Sequence, residues 1–279
     1  MIKVNGIEIK QGRFPDSTLL MKFDPTADKY ENIGNNASIL VEWLYENDSE
    51  LFSLICVKKQ IDRYFNKRST VLEMPYIPHA RMDRVKSNED VFTLKYFCEV
   101  INSLKFDVVL VRDAHSNVSL ALLDNVIDGG VIRYVREAIN LSGAEALFFP
   151  DEGAMKRYAD LFKDMPYAFG MKKRDWKTGQ IQGLDLVNSE NIVDKKVLIV
   201  DDICSRGGTF FHSAKALKAA GAKSVSLYVT HLESTVLLGE MASTDDLVDH
   251  IYTTKSIFPE ELFQDGYDPY WKEWITIIN

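Results

Sequence analysis

One stretch of the sequence, residues 197–209, restricts the fold more than any other. It reads Val-Leu-Ile-Val-Asp-Asp-Ile-Cys-Ser-Arg-Gly-Gly-Thr, which is four apolar residues, two carboxylates and a glycine-rich turn. Such an apolar run predicts a buried strand, and the turn predicts the start of a helix. Apolar residues with helical spacing follow, and Gly221 is expected to end this helix before a strand that begins near Ser224. Residues 196–229 are therefore predicted to form a βαβ unit.

The rest of the chain repeats this alternation of short apolar runs with stretches of helical period. The predicted strands are 39–41, 71–74, 107–111, 147–149, 196–200 and 224–229. Helical spacing predicts further helices over 51–65 and 91–104, and Ser87-Asn88-Glu89-Asp90 is expected to cap the second of them. The pattern predicts an α/β protein with two domains of mainly parallel sheet flanked by helices. We assign them to residues 1–133 and 134–266, and we expect segment 267–279 to join the first domain.

Composition and charge argue against several classes of protein. Apolar residues make up 46% of the 279 residues and charged residues 27%, which is typical of a folded globular chain. With 33 basic and 41 acidic residues the formal charge is −8, which does not suit a general binder of nucleic acid. The 3 cysteines have no CxxC spacing, so we expect neither a disulfide framework nor a structural zinc site. The sequence predicts no signal peptide and no membrane span, so we expect a cytoplasmic protein.

The two carboxylates, Asp201 and Asp202, fall where the carboxyl end of a parallel strand is predicted. Open α/β sheets bind their ligands in the crevice outside these strand ends. Carboxylates there accept hydrogen bonds from sugar hydroxyls, and backbone N–H groups at the start of the next helix favour a phosphate. The alternative is that the acids only cap the helix and the glycines only form the turn. We favour a site for a small sugar phosphate because the whole thirteen-residue run carries both features.

Residues 197–209 resemble the phosphoribosyl pyrophosphate motif of type I phosphoribosyltransferases and of ribose-phosphate pyrophosphokinases. Five further segments, in the same order along the chain, resemble the pyrophosphokinases. They are Gly12-Arg13-Phe14-Pro15-Asp16, the segment 74–84 that ends in Arg81-Met82-Asp83-Arg84, the segment 111–116 with Asp113-Ala114-His115, Pro150-Asp151-Glu152-Gly153, and Lys172-Lys173-Arg174. The chain is therefore identified as a member of the ribose-phosphate pyrophosphokinase family.

This resemblance implies two tandem domains of the type I phosphoribosyltransferase fold and a Mg²⁺-dependent diphosphotransferase that uses ATP and ribose 5-phosphate. It implies catalytic roles for Lys172, Arg174 and His115, and contacts of His115 and Asp151 with the metal-nucleotide. The implied ATP-binding residues are Phe14, Asp16, Arg81, Asp83 and Arg84. The implied acceptor-binding residues are Asp201, Asp202, Ser205, Arg206, Gly207, Gly208 and Thr209. It also implies a homo-oligomer, a dimer or higher, because the segment around Phe14 reaches the ATP of a neighbouring subunit in the family.

Some positions depart from the family pattern. Ser205 and Arg206 replace an aspartate and a threonine, which removes a carboxylate from the phosphate loop and adds a guanidinium. Met82 stands where glutamine is usual, and Ser17-Thr18 stands where Gly-Glu is usual. An altered phosphate loop suits an acceptor whose 5-phosphate is not a free monoester, and ADP-ribose is such a molecule. Ribose 5-phosphate remains our first prediction, with ADP-ribose as the alternative.

Two other functions are weighed against the diphosphotransferase. A phosphoribosyltransferase that consumes the product is disfavoured, because enzymes of that class lack the segments around Arg81 and His115. A catalytically silent subunit that regulates a partner is disfavoured, because His115, Lys172 and Arg174 are all present.

Overall fold

The computed structural model describes residues 1–27, 38–65, 67–174, 181–243, 247–259, 262 and 273–279. The chain divides into two compact units, Met1–Gly130 and Val131–Asn279. Each unit is built around its own sheet, and most strand pairs are parallel. This confirms the predicted α/β class. Among the helices described, none is long and apolar enough to cross a lipid bilayer.

The first unit contains eight strands and three helices in the residues described. The strands are β1 (Ile2–Val4), β2 (Ile7–Glu8), β3 (Gln11–Arg13), β4 (Leu19–Met21), β5 (Ser38–Trp43), β6 (Ser69–Glu73), β7 (Val108–Val111) and β8 (Val126–Asp128). The helices are α1 (Ser49–Phe65), α2 (Thr93–Ser103) and α3 (Asn117–Leu122). The main sheet has the order β2-β1-β5-β6-β7-β8, while β3 and β4 form a separate hairpin. Because β5 to β8 are parallel, their carboxyl ends share one edge.

The helices of the first unit cover its sheet with apolar stripes. Helix α1 buries Leu54, Val57 and Ile61, which lie on one face at helical spacing. Helix α2 begins at Thr93, so the predicted cap at 87–90 is wrong. Those residues instead form a turn, in which the Asp90 carboxylate accepts the backbone N–H groups of Lys86 and Ser87. This local hydrogen bonding competes with a cap.

The second unit is larger. Its strands are β9 (Ala146–Phe149), β10 (Tyr167–Arg174), β11 (Ile181–Val187), β12 (Lys196–Cys204), β13 (Ser224–Leu232), β14 (His250–Thr254) and β15 (Ile275–Ile278). Its α-helices are α4 (Ile132–Ser142), α5 (Glu152–Tyr158) and α6 (Gly208–Ala219), with short 3-10 helices at Ala159–Phe162, Ser189–Asn191, Ser234–Leu238 and Glu240–Ser243. The sheet order is β11-β10-β9-β12-β13-β14-β15, and β11 is antiparallel to its neighbour. Helix α6 ends at Ala219, shortly before Gly221 as predicted.

The order in which the chain adds strands to the second sheet reverses between β9 and β12. From β9 the chain adds β10 on one side, and later strands extend from the other side of β9 through β12. This is the topological switch point at which open α/β sheets bind ligands. Strand β12 extends past its neighbour here: β9 pairs with Val197–Ile199, whereas β13 pairs with β12 as far as Cys204. The last residues of β12 therefore border the crevice.

The C-terminal strand differs from the sequence-based expectation. We expected segment 267–279 to join the first domain, but β15 pairs in parallel with β14 of the second sheet. The physical reason is burial, because Ile275 and Ile278 complete the apolar cover of that sheet. Trp274 reinforces the placement by donating its indole N–H to the carbonyl of Val248 over 2.9 Å.

Candidate functional site

The paired acids of the second unit end the strand β12 at the switch point. Asp202 is almost buried, and Asp201 is half-buried beside it. The backbone N–H of Asp202 donates to Oδ1 of Asp201 over 3.0 Å. Burial raises the pKa of Asp201 well above its usual range, and the neighbouring carboxylates of Asp202 and Asp151 raise it further. The three carboxylates therefore concentrate negative charge at this edge of the sheet.

Helix α5 brings two further charged groups to the acids. Asp151, which follows β9, caps the helix, since its Oδ1 accepts the backbone N–H of Ala154 over 3.0 Å. Near the other end of the helix, Nη1 of Arg157 lies 3.1 Å from Oδ2 of Asp202. The sequence analysis did not single out Arg157. The available signal was an arginine six residues after the aspartate of the Pro-Asp-x-Gly segment, which places the two on one short helix.

The glycine-rich turn joins β12 to α6. Gly207 is the N-cap residue and has φ +78°, and a Cβ atom there would lie 2.4 Å from Cε of Met241. The turn thus requires glycine. Ser205 donates its hydroxyl to Oε2 of Glu233 over 2.7 Å, and the Glu233 N–H donates to the carbonyl of Cys204. Arg206, Gly208 and Thr209 are exposed.

A second segment, residues 233–241, packs against this turn. Gly239 packs so closely on the turn that a Cβ atom there would lie 1.8 Å from the carbonyl oxygen of Arg206. The hydroxyl of Thr235 donates to the same Glu233 oxygen that accepts from Ser205, over 3.2 Å. Segment 233–241 is therefore a platform that fixes the backbone of the turn. Local pattern could not indicate this segment, because helix α6 and strand β13 separate it from the turn along the chain.

In the first unit, two of the predicted ATP-side segments come together at the carboxyl edge of the sheet. Asp83 is buried, and its carboxylate accepts two hydrogen bonds from Arg84, at 2.7 Å and 3.2 Å. These bonds are the main cause of the lowered pKa of Asp83, and Ser116 and the charge of His115 lower it further. The turn after β6 and the segment after β7 are therefore in contact. Arg81 and Arg84 are exposed beside them.

Asp128, at the end of β8, holds the segment that carries His115. Its Oδ1 accepts the backbone N–H of Asp113 at 2.9 Å and that of Gly130 at 3.0 Å, and its Oδ2 accepts from Ala114 at 3.2 Å. This explains how Asp113 is stabilised at a φ of +49°. Asp128 was not among the predicted site residues, because its partners Asp113 and Ala114 follow a different strand.

Phe14 and Asp16 lie on the separate hairpin of β3 and β4. Phe14 is 50% exposed, and the Asp16 carboxylate accepts the hydroxyl and the backbone N–H of Thr18. The hairpin is tied to the start of α1, where Arg13 donates to the hydroxyl of Ser49 over 3.1 Å. Nothing in the described residues brings Phe14 or Asp16 to Asp83 or His115.

Lys172 and Arg174 lie at the end of strand β10. Lys172 is in register with Leu184 of β11, and the register shifts between Lys173 and Arg174. The segment Lys172-Lys173-Arg174 is thus the end of a hairpin strand. Residues 175–180, including Gly179, lie outside the described part of the chain.

The donors that the structure describes are consistent with a metal that arrives with a nucleotide. No group of three or more His, Cys, Asp and Glu side chains in the described residues could hold a metal ion by itself. Mg²⁺ in nucleotide enzymes is usually held by one or two side chains together with phosphates and water. Asp151 and His115 are both half-buried, so either side chain is suited to be one of the one or two protein ligands of such a metal.

Three comparisons show which known proteins this chain is similar to. Residues 154–269 match the family model of the phosphoribosyl transferase domain. The ribose-phosphate pyrophosphokinase of Bradyrhizobium diazoefficiens is 26% identical over 259 residues, which cover 89% of this chain and 77% of that protein. The enzyme of the same name from Thermococcus kodakarensis is 26% identical, with 91% and 87% covered.

Among solved structures, the phosphoribosylpyrophosphate synthetase from Mycobacterium smegmatis superimposes with a TM-score of 0.72. The match covers 97% of this chain and 85% of that one at 17% identity. Together the comparisons confirm the predicted resemblance and the predicted fold class.

Proposed function

We propose that this homologue of the ribose-phosphate pyrophosphokinases is a transferase that moves the β,γ-diphosphoryl group of ATP to the anomeric hydroxyl of ribose 5-phosphate. The products are phosphoribosyl pyrophosphate and AMP. The observation that carries the proposal is the position of Asp201 and Asp202, which lie at the switch point of the second sheet directly before the turn that begins α6.

The acceptor side follows from this position. Asp201 and Asp202 accept hydrogen bonds from the ribose 2- and 3-hydroxyls, which fixes the ring and leaves the anomeric hydroxyl exposed to the nucleotide. The backbone N–H groups of the turn and the N-terminus of α6 bind the acceptor's phosphate, where the helix dipole favours an anion. The glycine at 207 keeps this backbone accessible.

The transfer step is an in-line displacement. The anomeric oxygen attacks the β-phosphorus and loses its proton, the bond from that phosphorus to the α,β-bridging oxygen breaks, and AMP leaves with the bridging oxygen. His115 and Asp151 would contact Mg²⁺, which would neutralise part of the charge of the phosphates when bound. Lys172 and Arg174 stabilise the charge that develops on the nonbridging oxygens. Arg81, Asp83 and Arg84 hold the nucleotide, with Phe14 and Asp16 as further contacts.

The test is to incubate the protein with Mg²⁺-ATP and ribose 5-phosphate and to follow phosphorus by NMR. We expect AMP and an anomeric diphosphate in equal amounts. Methyl ribofuranoside 5-phosphate, which has no free anomeric hydroxyl, is the control acceptor and should release no AMP. Asp202→Asn is the control variant and should weaken acceptor use far more than ATP binding. If the wild-type protein releases no AMP with any acceptor, the proposal is contradicted.

A second acceptor, ADP-ribose, is favoured by the observed bonding of Ser205. Its hydroxyl proton is donated to Glu233, so it offers a phosphate only lone pairs, while the exposed Arg206 adds a guanidinium to the same turn. A guanidinium binds diphosphates well and also stacks on adenine. ADP-ribose carries the same anomeric hydroxyl, and the same reaction would yield ADP-ribose pyrophosphate. Measuring kcat/KM for both acceptors on one preparation decides between them.

Lys172, near the end of strand β10, allows a separate test of the transfer step. Because Lys172 is proposed to act on developing charge, Lys172→Ala should lower kcat by about 10²-fold, a typical loss for one electrostatic donor, and should change ATP affinity much less. Lys195→Ala is the matched control, since it removes an amine elsewhere in the second unit. Near-normal turnover of the Lys172 variant would remove this residue from the mechanism.

A further inference from the structure

The carboxylate of Asp202 has a cationic partner, Arg157, which lies on helix α5. Nη1 of Arg157 lies 3.1 Å from Oδ2 of Asp202, and the side chains are 30% and 8% exposed, respectively. A carboxylate this far from water is costly unless a cation compensates it. Removing the partner of such a charge is therefore far more disruptive than removing a surface ion pair.

The guanidinium is fixed in place by the packing of its helix. Tyr158, the next residue, is fully buried, and its ring stacks on Phe149 with centroids 6.3 Å apart. Cζ of Arg157 lies 5.7 Å from the centroid of the Tyr158 ring. Asp151 caps the other end of the same helix. Helix α5 thus presents one anion and one cation to the paired acids from a rigid support.

The charges around the acids show what Arg157 does. The carboxylates of Asp202 and Asp151 both act electrostatically on Asp201, and the guanidinium of Arg157 forms an ion pair with Asp202. Without that guanidinium, the Asp202 carboxylate would lose the ion pair that sets its orientation. It would then cease to be a fixed acceptor for a sugar hydroxyl.

We infer that Arg157 is a positioning residue for the acceptor: it orients the Asp202 carboxylate and keeps it available to a ribose hydroxyl, without itself contacting the reacting atoms. The inference rests on the proposed function, since it concerns the same acceptor site. Loss of the Arg157 side chain from α5 should therefore lower the affinity for the acceptor and not the affinity for the nucleotide.

The experiment compares Arg157→Gln, Arg157→Lys and the control Lys156→Gln. Lys156 is the preceding residue, is exposed, and pairs with Glu152 at 2.8 Å. In Arg157→Gln we expect the KM of the acceptor to rise at least tenfold while the KM of ATP stays within twofold. The lysine variant should recover most of the affinity, and the control should match the wild type. An unchanged acceptor KM in the folded glutamine variant would overturn the inference.

A double-mutant comparison separates this role from a purely structural one. If Arg157 acts through Asp202, adding Arg157→Gln to Asp202→Asn should change acceptor affinity by less than twofold. A full tenfold loss in that background would overturn the inference, because Arg157 would then act independently of Asp202.

Calorimetry measures the affinities of each variant for ribose 5-phosphate and for ADP-ribose, and so gives the ratios between variants without turnover. Acceptor binding without release of AMP would refute the proposed function alone, whereas no binding of either acceptor to the wild type would overturn both.

Discussion

Arg206 is the residue whose chemistry departs most from the family pattern, and the structure leaves it exposed on the phosphate turn. If it pairs with a diphosphate or stacks on adenine, Arg206→Thr should lower the ratio of kcat/KM for ADP-ribose over ribose 5-phosphate by at least about tenfold, or about 1.4 kcal/mol. Arg133→Thr, an exposed arginine on α4, is the control. An unchanged ratio, with both acceptors assayed on the same preparation, would show that this residue does not select the acceptor.

Asp201 links stability to pH with a defined sign. Its pKa in the folded protein is raised, first by burial and then by Asp202, so the folded state holds a proton that the unfolded state releases. Its contribution to stability is complete below the pKa of the unfolded chain and is lost as pH rises through the folded pKa. Asp201→Asn should therefore raise Tm relative to the wild type at pH 8, and this difference should shrink towards pH 4.

Asp164 provides the contrasting control for that measurement. Its pKa is lowered by the guanidinium of Arg136, with N···O distances of 2.5 Å and 2.7 Å. A lowered pKa contributes stability above the pKa of the unfolded chain that is lost on acidification. Asp164→Asn should thus lower Tm at neutral pH, or leave it unchanged if solvent screens the exposed pair. A Tm gain for Asp201→Asn that is equal at pH 4 and pH 8 would contradict the assignment of the raised pKa.

At the scale of single residues, the sequence could locate the groups on the strand ends but not their partners. The position of Asp201 and Asp202 follows from local pattern, since an apolar run is succeeded by acids. Arg157, Glu233 and Asp128 reach their partners from separate segments, so no local spacing could indicate them. The roles of the predicted residues stay predictions.

The turn and its supporting platform, segment 233–241, act as one element. Because a Cβ atom at Gly239 would lie 1.8 Å from the carbonyl oxygen of Arg206, Gly239→Ala must displace the backbone of the phosphate turn. We expect the acceptor KM to rise at least tenfold, with the ATP KM nearly unchanged, because only the acceptor's phosphate uses this turn. Steady-state kinetics with each substrate varied in turn measures both.

Ser234→Ala controls for changes within the platform, since Ser234 is an exposed residue of the same segment. It should leave both KM values as in the wild type. If Gly239→Ala were to raise the two KM values equally, the displacement would have spread beyond the turn, and the separate action of this element would be refuted.

Element boundaries show where local pattern is sufficient. Helices α1 and α6 were predicted well because their apolar residues repeat at helical spacing towards one sheet. The end of β12 was predicted at Val200, but the strand runs to Cys204 because β13 continues to pair with it beyond the acids. Val91 was assigned to a helical stripe, yet it is 55% exposed and precedes α2. The short strands β1 to β4 carry too few residues for a periodic signal.

For the whole molecule, each unit has a core of its own. Leu72 on β6 is fully buried in the first unit, and Leu198 on β12 is fully buried in the second. Truncating either to alanine should lower the free energy of unfolding by about 2–5 kcal/mol, the usual cost of a cavity in a packed core. Hydrogen exchange measured strand by strand should show the loss of protection in the unit that carries the change.

Volume-conserving controls, Leu72→Met and Leu198→Met, should cost less than about 1.5 kcal/mol. Equal losses for alanine and methionine would mean that these sites are not close-packed. The α/β class itself was predictable, because alternation of strand and helix periods extends along the chain. The sheet to which β15 belongs could not be predicted, since three isoleucines in a four-residue strand suit either core and only the tertiary pairing decides.

The unequal lengths of β9 and β12 have a further consequence, for association between molecules. Beyond Ile199, one side of β12 is a strand edge within a sheet, and such edges invite pairing with a strand of another chain. Charged residues are one of the means by which proteins prevent that pairing. Residues 200–204 read Val-Asp-Asp-Ile-Cys, so the acids interrupt an otherwise apolar edge. We therefore expect the carboxylates proposed to hold the sugar also to disfavour β-sheet growth at this edge.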